Sequence, residues 1–254
     1  MNFSVYDALS AVIILLIALN IRLMASPKTA VIGNRLGALA MCAAIAIVLV
    51  GGGILDAPEL IACLLAGGLI GLALALKVTT LQIPQFVALL NGLGGAASLL
   101  VSLALVFESG ADIDFTNQLA GFLAIAVGGV TFSGSVIAAA KLDGRMEQRP
   151  VVLRAHTPLS ILLIALCAAG IAAGLQFPRH IAALAPVVAV LSLLFGVVAS
   201  IRIGGADMPV SISLLNSYSG LAASICGFAI NDFLLVSVGA VVGAAGLILT
   251  KIMC

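Results

Sequence analysis

Two amides stand inside long apolar runs, and they are the residues best placed to do chemistry there: Asn91 and Asn216. An amide in hydrocarbon costs free energy unless it finds hydrogen-bond partners or water, so each needs a packing partner or a polar path. Their placement is matched. Each lies seven residues after a helix-starting proline, Pro84 or Pro209, which at the helical rise is about 10 Å into a span. Segments 84–97 and 209–222 share the pattern P-x4-LLN-x3-G-x-A. A remnant of a parallel internal repeat and a chance match between Ala- and Leu-rich helices both account for it.

Small and hydroxyl-bearing residues accompany the amides at helical spacing. Asn91, Gly95, Ser98 and Ser102 advance by four, three and four, and so share one face. Ser213, Asn216, Ser217, Gly220 and Ser224 make a second stripe. Gly239, Gly243, Gly246 and Thr250 make a third, and Gly121, Gly128, Thr131 and Ser135 a fourth. Such residues let membrane helices approach closely and bond across their contacts. Four stripes in one chain place their helices at the centre of a bundle.

The absent groups narrow the chemistry further. No Asp, Glu, Lys, Arg or His falls mid-span; His156 and His180 sit at span ends and read as interfacial anchors. A proton pathway normally uses a titratable group, so a route through this chain needs one from a partner subunit, or water. No dinucleotide fingerprint follows a strand, no P-loop occurs and no nucleophile–base pair can be placed, which excludes a soluble catalytic site. Cys42, Cys63, Cys167, Cys226 and Cys254 lack any CxxC spacing. They read as small apolar residues, not as a metal site or disulfide framework.

The elements that must position these residues follow from composition. Of 254 residues 63% are hydrophobic and 8% charged, with a formal charge of +1, whereas a soluble domain carries about 25% charged residues. The chain is a polytopic, all-α membrane bundle. Apolar runs and their polar breaks predict nine spans: Val5 to Met24, Gly33 to Gly53, Glu59 to Leu76, Pro84 to Phe107, Phe115 to Ala140, Thr157 to Phe177, His180 to Ile203, Met208 to Ile230 and Phe233 to Met253. The first is a retained span rather than a cleaved signal, and it is apolar all round from Ala11 to Leu19, which suits a lipid-facing position. Pro186 marks a kink in the seventh, while Lys77 and Arg202 snorkel to headgroups. The whole of 1–254 reads as one transmembrane domain.

Sidedness follows from the loops. Ten of the eleven basic residues, among them Arg22, Lys77, Lys141, Arg145, Arg149, Arg154 and Arg202, fall on one side, with only Arg179 opposite. Asp7, Asp56, Glu59, Glu108, Asp112, Asp114 and Asp232 collect on Arg179's side. Basic loops stay cytoplasmic, so the N-terminus is expected outside and the C-terminus cytoplasmic. No basic run suggests nucleic acid. On the residues alone, a self-contained secondary transporter and a non-catalytic membrane scaffold also fit.

Four stretches carry a more specific signal: QIPQFVALLNGLGGAAS at 82–98, TFSGSVIAAAKLDGRM at 131–146, ADMPVSISLLNSYSGLAASICGF at 206–228, and the terminal KIMC. Across essentially the whole chain they resemble the membrane domain of the beta subunit of proton-translocating NAD(P)+ transhydrogenase. The resemblance implies a proton-conducting membrane part of a dimeric enzyme, coupling inward proton movement to hydride transfer from NADH to NADP+. It implies no cofactor in this chain, NAD(H) and NADP(H) being bound by two soluble domains. The NADP(H)-binding one is expected after the last helix, and this sequence ends before it at Cys254. Partners implied are alpha-subunit membrane helices, both nucleotide-binding domains, a second copy of the chain and the lipid of a bacterial cytoplasmic membrane.

By matching motif, Asn216 and Ser135 correspond to positions of proton conduction, and Asn91 to one where some members carry a pathway His. Members with Asn there look as if they place that His on an alpha-subunit helix. Asp207, in the D-M-P motif, and Arg202, Ser217 and Tyr218 fall to coupling; Gly227, Gly239, Gly243 and Gly246 match close-packed glycines. Leu221 stands where Trp is expected after NSYSG.

Overall fold

The computed structural model describes residues 3–54, 56–110 and 114–254, with side chains from Val5 onward. Among them are nine helices: α1 Phe3–Met24, α2 Ala30–Gly51, α3 Pro58–Lys77, α4 Ile83–Ser109, α5 Phe115–Leu142, α6 His156–Gln176, α7 Ile181–Ile201, α8 Met208–Ala229 and α9 Phe233–Met253. No strand occurs among the described residues, and all nine helices are long and apolar enough to cross a membrane. Asp112, one of the acids assigned to the outer side, lies outside the described residues.

Each expected span coincides with one helix, with ends shifted by three residues at most. The shifts have local causes. α2 starts at Ala30 because the Gly33 N–H already reaches the Thr29 carbonyl (2.9 Å), a helical bond upstream of the apolar run. Short 3-10 turns at Thr80–Gln82, Pro178–His180 and Gly205–Asp207 lead into α4, α7 and α8. Pro84 and Pro209 sit in the first turns of their helices, where a missing N–H leaves no bond unmade. α7 runs unbroken through Pro186.

The chain divides into two compact units, residues 1–80 and 81–254. In the first, α1 packs along α2, and Gly37 lies where a Cβ would come within 2.6 Å of the Asn20 amide. Ile13 and Ile17 are buried, so α1 is not lipid-facing all round, although Val12, Leu15 and Leu19 are exposed. α3 buries no residue.

In the second unit α5 is the hub, packed against α4, α7 and α8, while α6 lies on α7 and α9 on α8. Two apolar clusters hold this arrangement. One joins Leu99 and Val106 to Phe122, Ile125, Ile181 and Val188. The other joins Ala88 and Ala138 to Met208, Ile212 and Leu215.

The stripes sort differently from expectation. Those on α4, α5 and α8 do face the interior, but α9 is peripheral: it buries Leu234, Gly239, Gly243 and Gly246 and leaves Leu247, Ile248, Leu249 and Ile252 exposed. The central position falls to α7, whose Ser192, Gly196 and Ser200 are buried at steps of four. A Cβ on Gly196 would meet the Val130 carbonyl at 2.6 Å, so α7 touches the α5 backbone directly. α9 packs on α8 alone, whereas α7 packs on α5 and α6 and touches α4.

Candidate functional site

The α4–α5 crossing is made of backbone. A Cβ on Gly95 would lie 2.8 Å from the Gly128 carbonyl, and one on Gly128 would lie 2.6 Å from the Gly95 carbonyl. Glycine at both positions is what lets the two helices meet, because any side chain would force them apart. One turn along α4, Asn91 is buried, and its Nδ2 donates to the Ile212 carbonyl of α8 (3.3 Å). That oxygen is also the helical acceptor for the Asn216 N–H, four residues on. The Asn91 side chain and the Asn216 backbone thus converge on one carbonyl, which has two lone pairs to offer.

Ser135 completes the junction. It is wholly buried on α5, and its Cβ lies 3.1 Å from where a Cβ on Gly92 would stand. Its Oγ has no hydrogen-bond partner among the described residues. The Asn216 side chain is half-buried and is likewise without a partner among them. Asn91, Ser135 and the α8 turn that carries Asn216 are therefore gathered where α4, α5 and α8 meet, with the Ser135 hydroxyl and the Asn216 amide unmet by the described residues. An unmet amide or hydroxyl at this depth is a place for water.

The stripe read on α8 is two faces. Ser213, Ser217 and Ser224 point at α9: Ser213 Oγ donates to the Gly246 carbonyl (3.3 Å), and Ser224 Oγ to that of Val236 (2.9 Å). Ser217 Oγ closes onto the Ser213 carbonyl (3.1 Å) and faces Gly246. Gly227, Gly239, Gly243 and Gly246 all lie in this α8–α9 contact, where a Cβ on Gly239 would come within 2.5 Å of the Ser224 nitrogen. Tyr218, half-buried, packs on the cluster around Ile212 and Leu215. Sequence reasoning missed Ser219, whose Oγ fills the space 2.7 Å from where a Cβ on Gly94 would stand. Its signal was present, since Ser219 follows Asn216 by three residues and shares its face.

The two ends of this unit carry opposite charge. At one, Arg202 caps α7, and Asp207 precedes α8, accepting from Ser211 Oγ through its carbonyl (3.2 Å); both side chains are exposed. At the other, Glu108 and Asp114 line a cavity of about 600 Å³ with Asn117 and Asn231. Lys141, read from sequence as a loop cation, is instead fully buried in the last turn of α5. No three His, Cys, Asp or Glu side chains gather as metal ligands would among the described residues.

The sequence is similar to that of known proteins. A family model described as NAD(P) transhydrogenase beta subunit matches residues 6–254. The chain belongs to the NAD(P) transhydrogenase beta subunit family. Two curated relatives named NAD(P) transhydrogenase subunit beta, one from Rhodospirillum rubrum and one from a defined strain of that species, are each 36% identical over 246 residues. The match covers 94% of this chain and 53% of each relative, so the chain spans about half the length of these transhydrogenase subunits.

Proposed function

We propose that the chain is the proton-conducting membrane part of a proton-translocating NAD(P) transhydrogenase, coupling inward proton movement to hydride transfer from NADH to NADP+. The observation that carries this reading is the meeting of Asn91, Ser135 and the α8 turn of Asn216, with unmet polar atoms, in a member of this family. In it, the three side chains hold water in a narrow path between α4, α5 and α8. Amides and hydroxyls orient water but do not change charge near neutral pH. A His on an alpha-subunit helix supplies the titrating group that no span of this chain carries mid-membrane. Arg202 and Asp207, exposed at the basic end, face the NADP(H)-binding domain, while Ser217 and Tyr218 pass displacement along α8. NAD(H) and NADP(H) stay on the soluble domains. The complex is a dimer of such assemblies in a bacterial cytoplasmic membrane, with the basic end of this chain inside.

The test is Asn216→Leu in the complete complex, reconstituted into sealed vesicles. Gradient-driven NADPH formation is expected to fall by about tenfold, within the usual range of coupling between sites. Hydride exchange between the detached soluble domains is expected to be unchanged. Coupled turnover equal to that of the parent removes Asn216 from the path.

A further inference from the structure

Lys141 is the one wholly buried Lys, Arg, Asp or Glu among the described residues. Its Nζ donates to three carbonyls: Ile201 (2.7 Å), Ile203 (2.7 Å) and Arg149 (3.2 Å). An ammonium has three N–H donors and no acceptor, so the cage satisfies it completely. Ile201 ends α7, and the partial negative charge of a helix C-terminus suits a cation there. Burying a charge is costly without such partners, and an apolar side chain of similar length would avoid that cost altogether. What the ammonium adds is geometry, because it ties the end of α5 both to Arg149, eight residues on, and to Ile201 and Ile203, sixty and sixty-two residues on.

The same segments are joined by backbone. The Val151 N–H donates to Ile201 (3.0 Å) and the Gly205 N–H to Gln148 (2.7 Å). Lys141 stands six residues after Ser135 on α5, and Asp207 two residues after Gly205, at the start of α8. We infer that Lys141 is a positioning residue: its ammonium clamps the end of α5, the 148–151 segment and the 201–205 link into one body, so that a displacement at Asp207 reaches Ser135. The inference rests on the proposed function, since it names the mechanical link that coupling needs.

The experiment uses the complete complex in sealed vesicles. A first variant, Gln148→Cys with Gly205→Cys, places cysteines where the Gly205 Cβ would stand 3.1 Å from that of Gln148, close to the roughly 3.5–4.5 Å of a disulfide. If the two segments already move together, the oxidised pair keeps coupled turnover within about twofold of its reduced form. A lock that blocks turnover, with recovery on adding reductant, overturns the clamp. A second variant, Lys141→Met, is expected to lower gradient-driven NADPH formation at least fivefold, about the lower end of usual coupling between sites. It keeps the hydride exchange that the same complex performs without a gradient.

Wild-type coupling in Lys141→Met, or equal loss of both activities, overturns the assignment. Failure of the underlying reading looks different, because parent vesicles would then show no gradient-linked hydride transfer at all.

Discussion

Replacing Gly128 by Ala tests whether α4 and α5 truly meet backbone to backbone. The added Cβ would stand 2.6 Å from the Gly95 carbonyl and 3.0 Å from the Leu99 nitrogen. Ordinary contact begins near 3.4 Å, so the helices must part by about 0.8 Å, and neither obstacle is a flexible side-chain tip. Forced overpacking of this kind costs about 1–3 kcal/mol, against a gain of up to roughly 1 kcal/mol from alanine's better helix propensity. Gly68 on α3 supplies the control, because a Cβ there meets nothing within 4 Å and only the propensity gain remains. The difference between the two variants isolates the overpacking: Gly128→Ala should unfold about 1–3 kcal/mol more easily than Gly68→Ala. Reversible unfolding of the purified chain in mixed detergent micelles, followed by far-UV circular dichroism, measures it. A Gly128→Ala midpoint equal to or above that of Gly68→Ala would refute the close crossing and, with it, the rigid junction between Asn91 and Ser135.

Two further outcomes are expected. Gln118 is buried on α5, and its Nε2 donates to the Gly174 carbonyl of α6 (2.8 Å). Gln118→Leu should destabilise the chain by about 0.6–2 kcal/mol, the range for interhelical bonds in membranes, by the same unfolding assay; no change would mean that water already serves both groups. Cys254 is exposed at the end of α9. With Cys42 and Cys63 replaced by Ala, a membrane-impermeant maleimide should label it only from the cytoplasmic side of sealed vesicles, and labelling from outside would reverse the proposed orientation.

The spans were legible because a membrane helix needs about 20 apolar residues and the breaks between runs are sharply polar. The amides were legible for a related reason, since nothing in hydrocarbon hides the cost of an Asn. The role of α7 was not, because Ser192, Gly196 and Ser200 are spaced among apolar residues and contain no group that demands explanation. Nor was the division of α8, since Ser217 and Ser219 are two residues apart, and only the contacts show that Ser219 faces Gly94 of α4 and Ser217 faces Gly246 of α9. Lys141 was legible as a cation near a helix end but not as a buried one. Two of its three acceptors lie about sixty residues away in sequence, and no local pattern announces a carbonyl cage.

In the proposed path, a hydroxyl able to hold water differs from a packing one in where its proton is already engaged. Thr131 donates to Val127 (2.7 Å), Ser133 to Gly129 (3.0 Å) and Ser98 to Gly94 (3.2 Å), each closing onto the carbonyl one turn back in its own helix. Such a group is satisfied without water, and its presence on a stripe reflects only that it is small enough for a close contact. Ser135 sits two residues from Ser133, also buried in the same helix, yet its Oγ closes onto nothing among the described residues. The sequence treats these two serines alike, both lying within T-F-S-G-S, but their environments do not. Ser133 faces Gly196 of α7, whereas Ser135 faces Gly92 of α4, one residue from Asn91. Ser102 of α4 has an unmet buried hydroxyl too, but it lies about three turns from Asn91, whereas that of Ser135 falls beside the amide bond linking α4 to α8, and in the proposed function this coincidence makes the junction a place for water.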